Sequence, residues 1–266
     1  MTEQSSFNHY FDKHIGTVFA RQLRFSGFLG NTSSITLNLE KGTADFGAGR
    51  VYPIQLLGTQ LEKEDAWLWA WSDDNEPAFP QSLLSDVQSI KKMGHQDNIE
   101  QFAHDKLTLE LSDVPLIPDE FNGDYIASII AGIFNTVYWR YAFENEKNAG
   151  TLYFLLKDLP AELLTPFTVP DILNAIEDAC SYYQMEDQVM TESFLQEQGF
   201  VTHWDKNRLL ADRGTENVVA TFNKEDLCLE EIEAHGFEGE ENYQNESEED
   251  MDGWFDDEDE EFPPRM

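Results

Sequence analysis

DAWLWAWSDDNEPAFP, residues 65–80, places three tryptophans at alternate positions. Successive side chains of an extended strand point to opposite faces. Trp67, Trp69 and Trp71 therefore share one face, and Leu68 and Ala70 share the other. Both faces are apolar, so the spacing predicts a central strand covered on both sides. Burying an indole removes on the order of 200 Å² from water, roughly 5 kcal/mol as an upper bound. The same face has a second reading, as an aromatic pocket for a ring-shaped ligand. A stacking platform for nucleic acid would also carry basic residues, whereas the nearest charges are Glu64, Asp65, Asp73 and Asp74.

The flanks of this strand set the architecture. On its N-terminal side SITLNLE, residues 34–40, alternates like a half-buried strand, and Lys41-Gly42 turns the chain. ADFGAGRVYPIQLLGTQLE has strand character, with a turn or bulge near Gly47–Gly49, and Glu62–Asp65 is a polar turn. Connections this short imply an antiparallel meander. Upstream, Phe7, Tyr10, Phe11, Ile15, Val18 and Phe19 recur at helical steps over residues 5–25, ended by Gly27 and Gly30. That aromatic face is a candidate cover for the tryptophans. Downstream, Leu83, Leu84, Val87 and Ile90 read as a helix stopped by Gly94, and LTLEL, residues 107–111, as a short strand. Ile126, Ile129, Ile130 and Ile133 share one face of a helix that begins near Phe121. YWRYAF and TLYFLLKD then read as a hairpin, with a helical continuation through Tyr138–Phe143 as the alternative.

Pro160 and Pro166 mark a boundary. Beyond it, Thr168 caps a helix that has Pro170 in its first turn, a second helix spans about 186–198, and FVTHW, RLLAD, NVVATF and DLCLEEI read as strands. The predicted class is α+β: residues 1–160 as an antiparallel sheet packed by helices, residues 168–235 as a smaller α+β unit packed on the first, and residues 236–266 as a disordered acidic tail. Leu57-Gly58-Thr59, a polar turn and Trp67–Trp71 resemble a strand pair of an uncharacterised family of bacterial domains, over roughly residues 5–160. The resemblance implies a fold unit and no activity.

Charge is the outlying bulk property. The 266 residues carry 52 acidic and 17 basic side chains, for a net charge of −35. From Phe237 to the end there are 14 acidic residues and one basic, so the remaining body is acidic in its own right. Such a surface repels phosphate backbones and anionic membranes and attracts basic proteins. Two cysteines, Cys180 and Cys228, are too few for a disulfide scaffold or a zinc site, and both read as small buried hydrophobes. The absence of a leader-like N-terminus or a long apolar run leads to the expectation of a cytoplasmic protein.

No catalytic constellation stands out. G-x-S-x-G and P-loop patterns are absent, and Gly47-Ala48-Gly49-Arg50 is a lone G-x-G. The pairs Asp73-Asp74 and Glu177-Asp178 are expected by chance among so many acids. His9, Asp12 and His14 lack metal-ligand spacing, and DMDGWFDDEDEE fails as a calcium loop because Trp254 takes a ligand position. Neither a metal nor a cofactor is expected. The tail does carry a signal. Trp254, Phe255 and Phe262 are apolar anchors among Asp256, Asp257 and Asp259, a composition suited to docking on a basic groove. The expected function is non-enzymatic binding of a basic protein partner, most concretely as an immunity or inhibitor protein against a toxin or nuclease. The alternatives are a ligand-binding or enzymatic α+β domain using Trp67, Trp69 and Trp71, or a nucleic-acid mimic. Direct nucleic-acid or membrane binding is not expected.

Overall fold

A computed structural model describes residues 7–30, 35–75, 78–109, 121–144, 149–238 and 240. Helix α1, Phe7–Leu29, leads into a short pair, β1 (Thr36–Asn38) and β2 (Thr43–Asp45). Then come β3 (Val51–Leu61), β4 (Ala66–Trp69), α2 (Ser85–Asp97), α3 (Glu100–Ala103), β5 (Lys106–Thr108) and α4 (Gly123–Ile133). A hairpin of β6 (Tyr138–Glu144) and β7 (Ala149–Leu156) completes the first sheet. The remaining elements are α5 (Val169–Tyr182), α6 (Asp187–Glu197) and a meander of β8 (Val201–Asp205), β9 (Arg208–Arg213), β10 (Glu216–Phe222) and β11 (Leu229–His235).

Long β3 organises the seven-stranded first sheet. It pairs with β2 through residues 51–53, with β4 through residues 58–61 and with β7 along most of its length. Every described pairing is antiparallel, in this sheet and in the second, whose order is β11-β10-β9-β8. The mixed α+β architecture agrees with the periodicity of the sequence, and Tyr138–Glu144 is a strand paired antiparallel with β7 rather than a continuation of the helix.

α1 ties the two sheets together. It packs on α4 from one side and on α5 and α6 from the other. Arg24 donates to the carbonyls of Glu162 and Thr165 and lies 3.5 Å over the Phe167 ring, so the strap between the units is fastened to α1. Gly30, at φ 58°, ends α1 as expected, whereas Gly27 and Gly94 do not stop their helices. α1 runs through Gly27 to Leu29, and α2 continues past Gly94 to Asn98, a left-handed C-cap at φ 57°. Glycine weakens a helix by only about 1 kcal/mol. Packing outweighs that at Gly94, where a β-carbon would stand 2.6 Å from Phe102 Cβ.

Asp12, only 6% exposed on α1, accepts from the amide of Glu186 at the start of α6. Burial pushes its carboxyl up to about 6, with the nearby charges of Glu186 and Asp187 adding to the effect. An acid whose folded-state pKa lies above its unfolded value stabilises when protonated, and that contribution is lost as pH rises through about 6. Asp12→Asn keeps the acceptor and removes the titration. Between about pH 5 and pH 7 the variant should therefore lose about 1 kcal/mol less stability than the parent, read from urea midpoints at each pH. Parallel pH profiles for the two proteins would contradict this.

Candidate functional site

The tryptophan strand lies in the core. Trp67 and Trp69 are 0% exposed. Their rings meet edge to face at 5.5 Å, Tyr153 stands 5.4 Å from Trp67, and Phe102 stands 6.2 Å from Trp69. Phe7 of α1 reaches this group through Phe102, at 5.1 Å. Trp71 has left the strand. It is half-buried, stacks on Trp69 at 4.4 Å, and donates its ring N–H to the Asp105 carboxylate at 2.7 Å. On the opposite face Leu68 and Ala70 are also buried. The glycine of the Leu-Gly-Thr segment has a physical reason: a β-carbon on Gly58 would meet both the Leu68 carbonyl and the Trp67 ring at 2.6 Å.

The acidic face is built by the second unit. Thr168 caps α5 by accepting from the Asp171 amide, which fixes where the helix starts and which residues face outward. Ile172, Ile176 and Ala179 point inward, while Glu177 and Asp178 point to solvent. α5 packs beside β11, the edge strand of the second sheet. Between them runs a groove of about 420 Å³. Its carboxylates are Glu177, Asp187, Glu230 and Glu231, its apolar floor includes Met185 and Ile232, and no Lys, Arg or His lines it. Asp187 also accepts from the Leu229 amide at 2.8 Å, fastening the start of α6 to β11. Burial raises the Glu177 carboxyl, and the charge of Asp178 raises it further. A cation entering the groove would relieve that repulsion. Acidic side chains on β11 also guard an open sheet edge against pairing with another strand.

A third feature is a partly open cavity of about 250 Å³ beneath α1, bounded by α4, β6 and the end of α5 with the residues that follow it. Asp124, in the first turn of α4, stands at its wall. One carboxylate oxygen accepts from the Tyr138 hydroxyl at 3.2 Å, and the other from Arg140 at 2.5 Å and Tyr153 at 3.3 Å. Burial raises the Asp124 carboxyl, against the lowering by Arg140 and the two hydroxyls.

A family comparison covers residues 8–159. The chain belongs to DUF6882, a family of unknown function. The DUF6882 segment takes in α1 and the whole first sheet, including Gly58 and Trp67–Trp71, and ends before α5. The acidic groove lies wholly beyond it, and the cavity straddles its end. No curated protein and no solved structure matches the chain.

Of the residues singled out by sequence, Trp67 and Trp69 come together in the core and Trp71 at its rim. Trp254, Phe255, Asp256, Asp257, Asp259 and Phe262 lie outside the described residues. Cys228 corrects its expectation. It is exposed, because it follows Leu227 in a tight turn at φ 64° where the flanking leucines do not enclose it; Cys180 is half-buried. Glu177, Glu230 and Glu231 were not legible as a group, since more than fifty positions separate the helix from the strand. One signal was available: residues 169–199 hold seven carboxylates and no Lys, Arg or His. Among the described residues no group of His, Cys, Asp and Glu is arranged to hold a metal, and no helix is long and apolar enough to cross a membrane.

Proposed function

We propose that this protein is a non-enzymatic binding protein whose acidic second unit receives a basic protein surface. Its most concrete form is an immunity or inhibitor protein that covers the cationic active site of a toxin or nuclease, in a cytoplasm where Cys180 and Cys228 stay thiols. The observation that carries the reading is the α5/β11 groove, with four carboxylates, an apolar floor and no cation along its walls. That combination suits lysine and arginine side chains, whose heads seek carboxylates while their stems cover apolar surface. β11 leads directly into residues 237–266, so the acidic-aromatic segment with Trp254, Phe255 and Phe262 starts at the same edge. In this reading the segment supplies a second anchor through Asp256, Asp257 and Asp259.

A labelled peptide alternating lysine and leucine provides the test by fluorescence anisotropy. The parent should bind it, with affinity falling roughly tenfold or more between about 50 and 300 mM NaCl. The triple variant Glu177→Lys/Glu230→Lys/Glu231→Lys should lose at least tenfold. Glu40→Lys/Glu144→Lys/Asp205→Lys changes exposed sites elsewhere by the same charge and should bind nearly as the parent does. Equal losses in the two triple variants would leave only a general effect of net charge and overturn the groove as the site.

A further inference from the structure

We infer that the cavity beneath α1 is a binding site for a small organic ammonium ion carrying an aromatic or apolar body. Gln22 supplies the first reason. It is 5% exposed, and its side-chain N–H donates to the Tyr138 carbonyl at 3.1 Å. That bond fixes the amide orientation, because the flipped amide would set two acceptors against each other. The remaining oxygen, Gln22 Oε1, is buried and has no hydrogen-bond partner, and Gln22 is among the residues that line the cavity. An unsatisfied buried acceptor is destabilising, and a small turn of the Gln22 side chain would let a ligand donor satisfy it.

The second reason is the sign and material of the walls. The charged side chain in the lining is Asp124, and no Lys, Arg or His accompanies it. Arg140 and Tyr153 occupy its Oδ2, whereas Oδ1 accepts from Tyr138 and keeps room for a second donor. Around these acceptors runs a chain of rings. Tyr125 stacks on Phe11 at 3.9 Å, Phe11 meets Tyr183 at 5.6 Å, Tyr183 meets Phe19 at 5.9 Å, and Phe19 meets Tyr182 at 6.0 Å. Aromatic faces attract cations, more strongly where water is excluded. The Gln22 oxygen without a donor favours a ligand that donates, and the Asp124 Oδ1 lone pair left free beside the Arg140 ion pair favours one that is positive. A volume of about 250 Å³ holds a molecule on the order of ten heavy atoms. This site adjoins the proposed protein-binding groove, the two sharing Tyr183 and Gln184 in their walls.

The probe is 2-phenylethylammonium, titrated calorimetrically into the full chain beside 2-phenylethanol, which has the same body and no charge. The ammonium should bind at least tenfold more tightly than the alcohol. Gln22→Met should weaken the ammonium roughly tenfold. Tyr182 is 60% exposed at the cavity mouth, so Tyr182→Ala leaves the fold intact and should weaken the ammonium several-fold, with Tyr182→Phe restoring it. The inference is overturned if the alcohol binds as well as the ammonium, if neither binds at millimolar concentration, or if Tyr182→Ala binds like the parent.

Discussion

Truncating Trp69 to alanine should remove about 3–5 kcal/mol of stability, the range for a large buried aromatic side chain. Three losses add. The indole is wholly buried, so its transfer from water is forfeited. Its contacts with Trp67, Trp71 and Phe102 leave a cavity between two strands and α3, where neighbours are already ring-on-ring and cannot collapse freely. Its ring N–H, which donates to the Gln101 carbonyl at 3.0 Å, leaves that carbonyl short of a donor. Trp71→Ala is the internal comparison. That ring is half-buried and bonds a surface carboxylate, so the cost should be about 1–2 kcal/mol. Urea unfolding of both variants provides the measurement. A Trp69→Ala loss below about 2 kcal/mol would mean that the cluster is looser than a core, and the pocket reading of Trp67, Trp69 and Trp71 would regain ground.

Gly58→Ala is the second large effect, in the opposite physical direction. Alanine lowers the entropy of the unfolded chain, which by itself would stabilise by about 0.5–1 kcal/mol. The added methyl meets the Leu68 carbonyl and the Trp67 ring at 2.6 Å. Neither can move easily, since one is backbone on the paired strand and the other is packed against Trp69 and Tyr153. Strand β3 would have to part from β4 at the centre of the sheet. A net loss of about 2–3 kcal/mol is expected, and a second-site Trp67→Phe should recover part of it by withdrawing the larger ring. If Gly58→Ala were neutral, close strand approach would not be the reason for glycine in the Leu-Gly-Thr segment.

The sheet was legible because its signals are local. Alternation over residues 66–70, the turn at Glu62–Asp65 and the glycines near residue 47 each act within a few positions, and so does the Thr168 cap with Pro170 behind it. Gly27 and Gly94 do not stop their helices because the local cost of a glycine is small, and at Gly94 a tertiary contact with Phe102, with no mark in the neighbouring sequence, adds to this. Cys228 misled because its leucine neighbours lie on a turn. The groove and the cavity were hidden by chain separation. Glu177 meets Glu231 only once α5 lies beside β11, and Gln22 meets Asp124 and Tyr182 only once α1 crosses both units. What composition does reveal is sign: a stretch of 31 residues without a base, residues 169–199, marks the face that carries the proposed function.

Amide hydrogen–deuterium exchange of the full chain, with and without the lysine–leucine peptide, tests the central proposal most directly. Protection should appear along Leu229–His235, over the last turns of α5 and into residues 237–266, and should fade as NaCl is raised. Protection confined to the first sheet, or none on β11 and α5 at saturating peptide, would contradict the acidic groove as the place where a basic partner is held.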